Sequence, residues 1–337
     1  MASANVRPLE VLFWLATLLP FVVAPTYLTL ASQIAITALF ALSLDLILGY
    51  AGIVSLGHAA FFGVGAYTAG LLAKHYWSEP LTGLIAAGLL AGSVGYATSH
   101  VVVRFRHLAL IMLTLGLGLL LHEAANSASA LTGGADGLQG FRVPAVLGFK
   151  FDLYGTTAYA YALVVLFLCF LISRRIIHSP FGLALRGIRE NATRMPAIGA
   201  PSRAHLRKVY TIAAVMAGIA GALLTHTTST VSLETLSFGR SADVLVILIL
   251  GGAGRLYGGI VGAIIYMVAR DQFSGVNPQY WYFWIGLLLV ALVMFLPNGI
   301  LGGLAKFSRR TSSTSASARW WWRRTSSSSC RRACATR

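Results

Sequence analysis

The stretch Val244-Leu-Val-Ile-Leu-Ile-Leu-Gly-Gly-Ala-Gly-Arg255-Leu-Tyr-Gly-Gly-Ile-Val-Gly-Ala-Ile-Ile-Tyr-Met-Val268 holds twenty-five residues and one charge, Arg255, at its midpoint. It is long enough to cross a hydrocarbon core of about 30 Å, which takes roughly 20 apolar residues as a helix. A simple crossing would hold Arg255 in lipid at a cost of about 2.5–3.5 kcal/mol or more. Two half-helices around the glycine turn 251–259, entering and leaving on one side, remove that cost. Broken backbone at membrane depth survives only against protein or a watery cavity. The stretch therefore predicts an all-α polytopic membrane helix bundle with a re-entrant, glycine-broken segment.

The rest of the chain supports lipid as the solvent. Its 337 residues are 57% hydrophobic and only 11% charged, with a mean hydropathy of +0.74, too apolar for a soluble domain of this size. Apolar runs fall at about 11–30, 33–48, 53–73, 81–103, 108–125, 158–173, 209–227, 244–268 and 281–301. That predicts eight to ten spans, depending on how glycine breaks are counted. The first run follows Arg7 and lacks a small-x-small cleavage site, so it reads as an uncleaved span and not a signal peptide. Small residues recur four apart at Ala59/Gly63, Ala66/Gly70, Ala217/Gly221 and Gly258/Gly262, a spacing that lets helix backbones approach closely.

The net charge of +16 invites a nucleic-acid reading, but nine of the basic residues lie from Lys306 onward, leaving +7 for the body. Those charges sit in loops between spans, as on the cytoplasmic face of a membrane protein, and no nucleic-acid partner is expected. Arg104, Arg106 and His107 mark one such loop; residues 174–208, with eight Lys/Arg against Glu190 alone, mark another. Counting outward puts the N-terminus inside and 74–80 and 126–157 outside. A single crossing by 244–268 would leave the basic tail outside, and the re-entrant reading restores the parity. Cys169, Cys330 and Cys334 form neither a disulfide framework nor a zinc pattern. The organisation expected is a membrane domain over 1–307, with an inner loop at 174–208, and a disordered basic tail over 308–337, where Ser, Thr and Arg cannot build a core.

No phosphate loop, zinc pair or nucleophile elbow occurs. No catalytic residue, cofactor or metal is assigned, and any ATP hydrolysis must come from another chain. Three motifs do stand out. Leu48-Gly-Tyr-Ala-Gly-Ile-Val-Ser55-Leu-Gly57-His58-Ala-Ala-Phe-Phe-Gly-Val-Gly-Ala-Tyr67 closely resembles the signature of the branched-chain amino-acid ABC permease family. Thr132-Gly-Gly-Ala-Asp-Gly-Leu138 is similar to that family's outer loop and points to the longer of its two paired permease subunits. Ser179-Pro-Phe-Gly182, with Leu185-Arg-Gly-Ile-Arg189-Glu190-Asn191 and Gly199, resembles the loop by which such permeases dock on their ATPases.

The resemblance covers roughly 34–303. It implies a multi-pass subunit in the bacterial cytoplasmic (inner) membrane, working with a second homologous permease subunit, two cytoplasmic ATPase subunits and an external solute-binding protein. The implied cargo is leucine, isoleucine or valine, though similar permeases carry urea, short amides and other amino acids. Arg189, Glu190, Asn191 and Gly199 would carry the ATPase coupling. The chain departs from the pattern at Arg194-Met195-Pro196, where a proline should kink or restart a helix.

Polar residues within apolar runs are costly, so Asp45, His58, His122, Glu123 and Asp243 are expected to face the interior or an aqueous path, His122 and Glu123 at an outer interface. His58 follows a glycine break whose freed amides and carbonyls suit a zwitterion; it also reads as a packing histidine bonded to a carbonyl. Ser55, Gly57, His58, Thr114 and Gly252 are the candidates for the substrate path. Leu185, Ile188 and Ala192 place an apolar face on a short inner helix that a partner surface would complete. A lone ion-coupled transporter built on Asp45 and Asp243, and a membrane-embedded enzyme, are the rival readings.

Overall fold

A computed structural model describes residues 8–23, 27–75, 79–105, 108–140, 155–276, 278–295 and 299–303. The expected tail 308–337, Arg106, His107 and much of the outer loop 126–157 lie outside the described residues. Among the described residues the chain is helical, with one isolated antiparallel bridge between Leu138 and Val231. The helices are α1 (Pro8–Ala16), α2 (Pro20–Val23), α3 (Leu28–Asp45), α4 (His58–His75), α5 (Pro80–Val102), α6 (Leu108–Ser127), α7 (Ser129–Thr132), α8 (Thr156–Ile177), α9 (Pro180–Glu190), α10 (Ser202–Thr228), α11 (Phe238–Gly251), α12 (Leu256–Val276) and α13 (Trp281–Phe295). A π-helical turn, Leu46–Tyr50, extends α3.

Among the described residues five helices are long and apolar enough to cross a membrane: α3 with its π turn, α5, α6, α8 and α10. The bent pair α11 and α12 makes up to six. The eight to ten spans expected from the sequence are not reached by this measure. The first apolar run is one reason, because Pro20 opens a new helix where a single span was expected, and Leu28–Leu30 belongs to α3. Another is α4, bracketed by His58 and by Lys74 and His75; a third is α13, only 15 residues long.

Burial along each helix follows its place in the bundle. In α3 nearly every residue from Ala35 to Asp45 is buried, because α8, α10, α11 and α12 surround it. In α6 only Leu110, Thr114 and Gly118 are buried, one stripe at four-residue spacing on a helix otherwise left to lipid. The centre is α10 packed on α4 and α5. There α5 turns Gly88, Gly92 and Gly95 toward Ile219, Val215 and Ala214 of α10. A side chain on Gly221 would collide with the backbone of Phe62 and Ala66 in α4. Lipid tails are as apolar as leucine, so such backbone contact, and not hydrophobic exclusion, is what joins these helices.

Replacing Gly221 with Val is expected to force α10 off α4, at a cost of about 1–3 kcal/mol. Gly116 of α6 has nothing within 4 Å of its would-be Cβ. Thermal unfolding in detergent should show a lowered midpoint for Gly221→Val and little change for Gly116→Val.

Candidate functional site

The first helix break lies between the π turn and α4. Freed from helical bonding, its backbone groups are met by side chains from distant helices. Thr114 Oγ1 of α6 accepts from Leu56 N–H at 3.3 Å, and Ser241 Oγ of α11 accepts from Ala59 N–H at 3.0 Å. Gly57 lies against the Thr114 carbonyl so closely that no side chain fits between them. His58 is fully buried, its Nε2 2.8 Å from Ser43 Oγ and its ring stacked on Phe40 with centroids 5.4 Å apart. The partner seen is thus a hydroxyl, not the carbonyl expected of a packing histidine. His58 Nδ1 and the buried Ser55 Oγ have no partner among the described residues. The structure brings Ser55, Gly57, His58 and Thr114 together; Gly252 belongs to the other break.

That second break divides α11 from α12, which meet at 113°. A bend beyond a right angle sends α12 back toward the end from which α11 came. Gly252 and Gly254 hold φ of 103° and 81° there, a region that residues with a Cβ rarely adopt. Arg255 lies half-buried at the turn, with Nη1 unpartnered among the described residues. The two breaks touch. Gly254 N–H donates to Asp45 Oδ1 at 2.7 Å, across 209 residues of sequence, and a side chain on Gly49 would strike both Asp45 and Gly254.

The helix α9 fastens onto this junction. Ser179 caps it, accepting from Gly182 N–H, and Pro180 opens it. Arg189 Nη1 donates to the Gly49 carbonyl, and the Arg186 guanidinium lies over the Tyr50 ring, 5.4 Å from its centroid. Leu185 and Ile188 are buried within this chain, against α8, α10 and the π turn. The expectation that a partner completes that face is therefore corrected. Ala192 also falls outside the helix, which ends at Glu190 because Asn191 is extended and its Oδ1 accepts from Thr193 and Arg194 N–H. Leu183, Arg186 and Glu190 remain outward on one face. Pro196 does restart the chain, in a 3₁₀ turn that Gly199 ends at φ 85°.

Phe40 stacks on His58 and packs on Phe62 in one layer, and two cavities lie among the surrounding elements. The larger, about 590 Å³, lies on the α9 side against Ala51–Val54, Arg189 and Arg203. The other, about 330 Å³, lies at the mouth of the α11–α12 hairpin, lined by Thr37, Glu234, Arg240 and Arg270. Sequence reading had not marked Arg240 or Arg270; each is an ordinary helix-end cation until the hairpin brings both to one cavity. Asp243, near the same cavity, accepts from Tyr266 OH at 2.8 Å. Glu123, expected at an interface, is exposed in α6, within 3.5 Å of Asn126 Nδ2.

Residues 26–293 match a family described as branched-chain amino acid transport system / permease component. The high-affinity branched-chain amino acid transport system permease protein LivM of Escherichia coli (strain K12) is 29% identical over 315 residues, 87% of this chain and 74% of the relative. LivM of Salmonella typhimurium, under the same description, is 29% identical over 316 residues with the same coverage. A probable branched-chain amino acid transport permease protein LivM of Methanocaldococcus jannaschii is 25% identical over 77% of this chain and 88% of its own length. No solved structure matches the chain.

Losing the Asp45 acceptor should leave Gly254 N–H unpaired and cost about 1–3 kcal/mol. Thermal unfolding in detergent is expected to place Asp45→Ala clearly below the parent chain. Asp45→Asn, whose amide oxygen can still accept, should lie between them.

Proposed function

Because the chain belongs to the family of permease components of branched-chain amino acid transport systems, we propose that it is the longer permease subunit of an ATP-driven importer of branched-chain amino acids. In this reading it sits in the cytoplasmic membrane and pairs with a second, homologous permease subunit. Two cytoplasmic ATPase subunits drive it, and an external solute-binding protein delivers the cargo. The basic loop 174–208 is cytoplasmic, residues 1–307 form the permease domain, and the tail 308–337 is a dispensable extension.

The observation that carries the reading is the hydrogen bond from Arg189 of α9 to the Gly49 carbonyl in the first helix break. The outward face of Leu183, Arg186 and Glu190 is the docking surface for the ATPase, with Glu190 meeting a basic residue there. Asn191 and Gly199 shape the turn that follows. ATP-driven closure of the ATPases then moves α9 as a rigid body. Arg189 passes the displacement to the π turn, and Asp45 passes it to the glycine turn at Gly254, so both broken helices shift together. Ser55, Gly57, His58 and Thr114 line the layer that opens between the two cavities, and Gly252 gives the hairpin its pivot. A lone ion-coupled transporter would use Asp45 as its ion site; Asp45 Oδ1 is taken by Gly254 N–H while Oδ2 has no partner among the described residues, so it is the family membership that favours the coupling role.

Two variants separate docking from transmission. The complex reconstituted in proteoliposomes should take up leucine in an ATP-dependent manner. Glu190→Lys is expected to lower ATPase binding and stimulation several-fold. Arg189→Gln should keep the ATPases bound and hydrolysing while leucine moved per ATP falls about tenfold, as expected for losing a charge-assisted hydrogen bond. Full uptake in both variants would end the coupling assignment, and failure of the chain to co-elute with any ATPase would remove the importer reading.

A further inference from the structure

The cavity at the mouth of the hairpin carries two guanidinium groups that the coupling account leaves idle. Arg240, at the start of α11, lies over the Phe62 ring, 5.6 Å from its centroid. Arg270, toward the end of α12, lies over Trp281 at 5.0 Å. Among the described residues neither guanidinium has a hydrogen bond or an ion pair; the ion pair present is Arg174 with Glu10, at another end of the molecule. Asp243, the neighbouring acid, accepts from Tyr266 OH and makes no direct ion pair with either guanidinium, though its charge acts on Arg240. Two half-buried cations thus face one cavity of about 330 Å³ with their ring faces occupied and their N–H edges unspent.

A guanidinium stacked on a ring still presents its in-plane fork, the geometry that matches a carboxylate. The remaining lining narrows the ligand. Met267 and Leu224 supply apolar wall, while Glu234 and Asp271 stand exposed at the rim. Those two acids would repel a dianion such as phosphate and would attract an ammonium group. The volume lies near the lower limit of small-ligand pockets, which run from about 300 to 1,000 Å³, so one small solute fits.

We propose that this cavity is a seat for a small aliphatic amino acid, its carboxylate held by Arg240 and Arg270 and its ammonium group turned toward Glu234 and Asp271. The identity of the solute rests on the permease reading above; the carboxylate seat rests on the two guanidinium groups. At the mouth of the hairpin, opposite α9, it would receive the solute before the Phe40–His58–Phe62 layer opens.

Protection of arginine from phenylglyoxal tests this on the intact complex in nanodiscs, with no binding protein present and the modified residues identified by mass spectrometry. Saturating L-leucine is expected to slow modification of Arg240 and Arg270 about tenfold, as for loss of access behind a charge-assisted contact. Leucinamide, which lacks the carboxylate, should give no protection. Protection by isocaproate but not by leucine would keep the carboxylate seat and overturn the amino-acid reading. Equal protection by leucinamide, or none by any carboxylate, would overturn the seat itself. In an Arg240→Gln complex leucine should no longer protect Arg270, and Arg240→Lys should restore part of the protection; undiminished protection in Arg240→Gln would remove Arg240 from the site.

Discussion

The hydrogen bond from Gly254 N–H to the Asp45 carboxylate is the contact on which the rest of this bundle depends. Inside a bilayer each backbone N–H and C=O must find a partner within the protein, and an unbroken helix provides this automatically. Among the described residues this chain departs from that rule after the π turn at Leu46–Tyr50 and at Gly252–Arg255. It meets the obligation by crossing the breaks. Asp45 takes the Gly254 N–H, Ser241 takes the Ala59 N–H, Thr114 takes the Leu56 N–H, and Arg189 gives to the Gly49 carbonyl. Each break is closed by residues outside it.

A mechanical consequence follows. Helices held only by small-residue contact can slide, but two breaks that satisfy one another cannot move independently without leaving buried polar groups bare. The helix α9 is therefore fastened to a junction and not to a single helix. Its own apolar face is already spent on α8, α10 and the π turn, Arg186 lies over Tyr50, and Leu183 and Glu190 remain exposed. At the far end the hairpin brings Arg240 and Arg270 to one cavity, so a shift at the glycine turn reaches the place where a solute would wait.

Much of this was legible in the sequence, for physical reasons particular to certain residues. Arg255 amid twenty-four uncharged neighbours made a plain span too costly, and the glycines around it marked the break, where the helix pair bends by 113°. The four-residue spacing of small residues correctly marked close-packed faces, and the family resemblance held over most of the chain. The span count did not follow, because hydropathy averages over Pro20 and cannot see a helix restart there. Nor could spacing show that α9 buries Leu185 and Ile188 on its own chain. Pairings such as Asp45 with Gly254 are set by tertiary approach across 209 residues, and no local pattern carries them.

The central claim is that α9 and the glycine turn move as one body. Spin labels at Glu190 and Ala253, both exposed, with a third at Ser129 on the opposite side of the bundle, test it by pulsed electron paramagnetic resonance in the assembled complex. Labels would be placed in a chain whose Cys169, Cys330 and Cys334 are replaced. On trapping the ATP-bound state, the account predicts an unchanged distance between positions 190 and 253, with both shifting relative to position 129. A distance from 190 to 253 that changes while position 253 keeps its distance from 129 would contradict it.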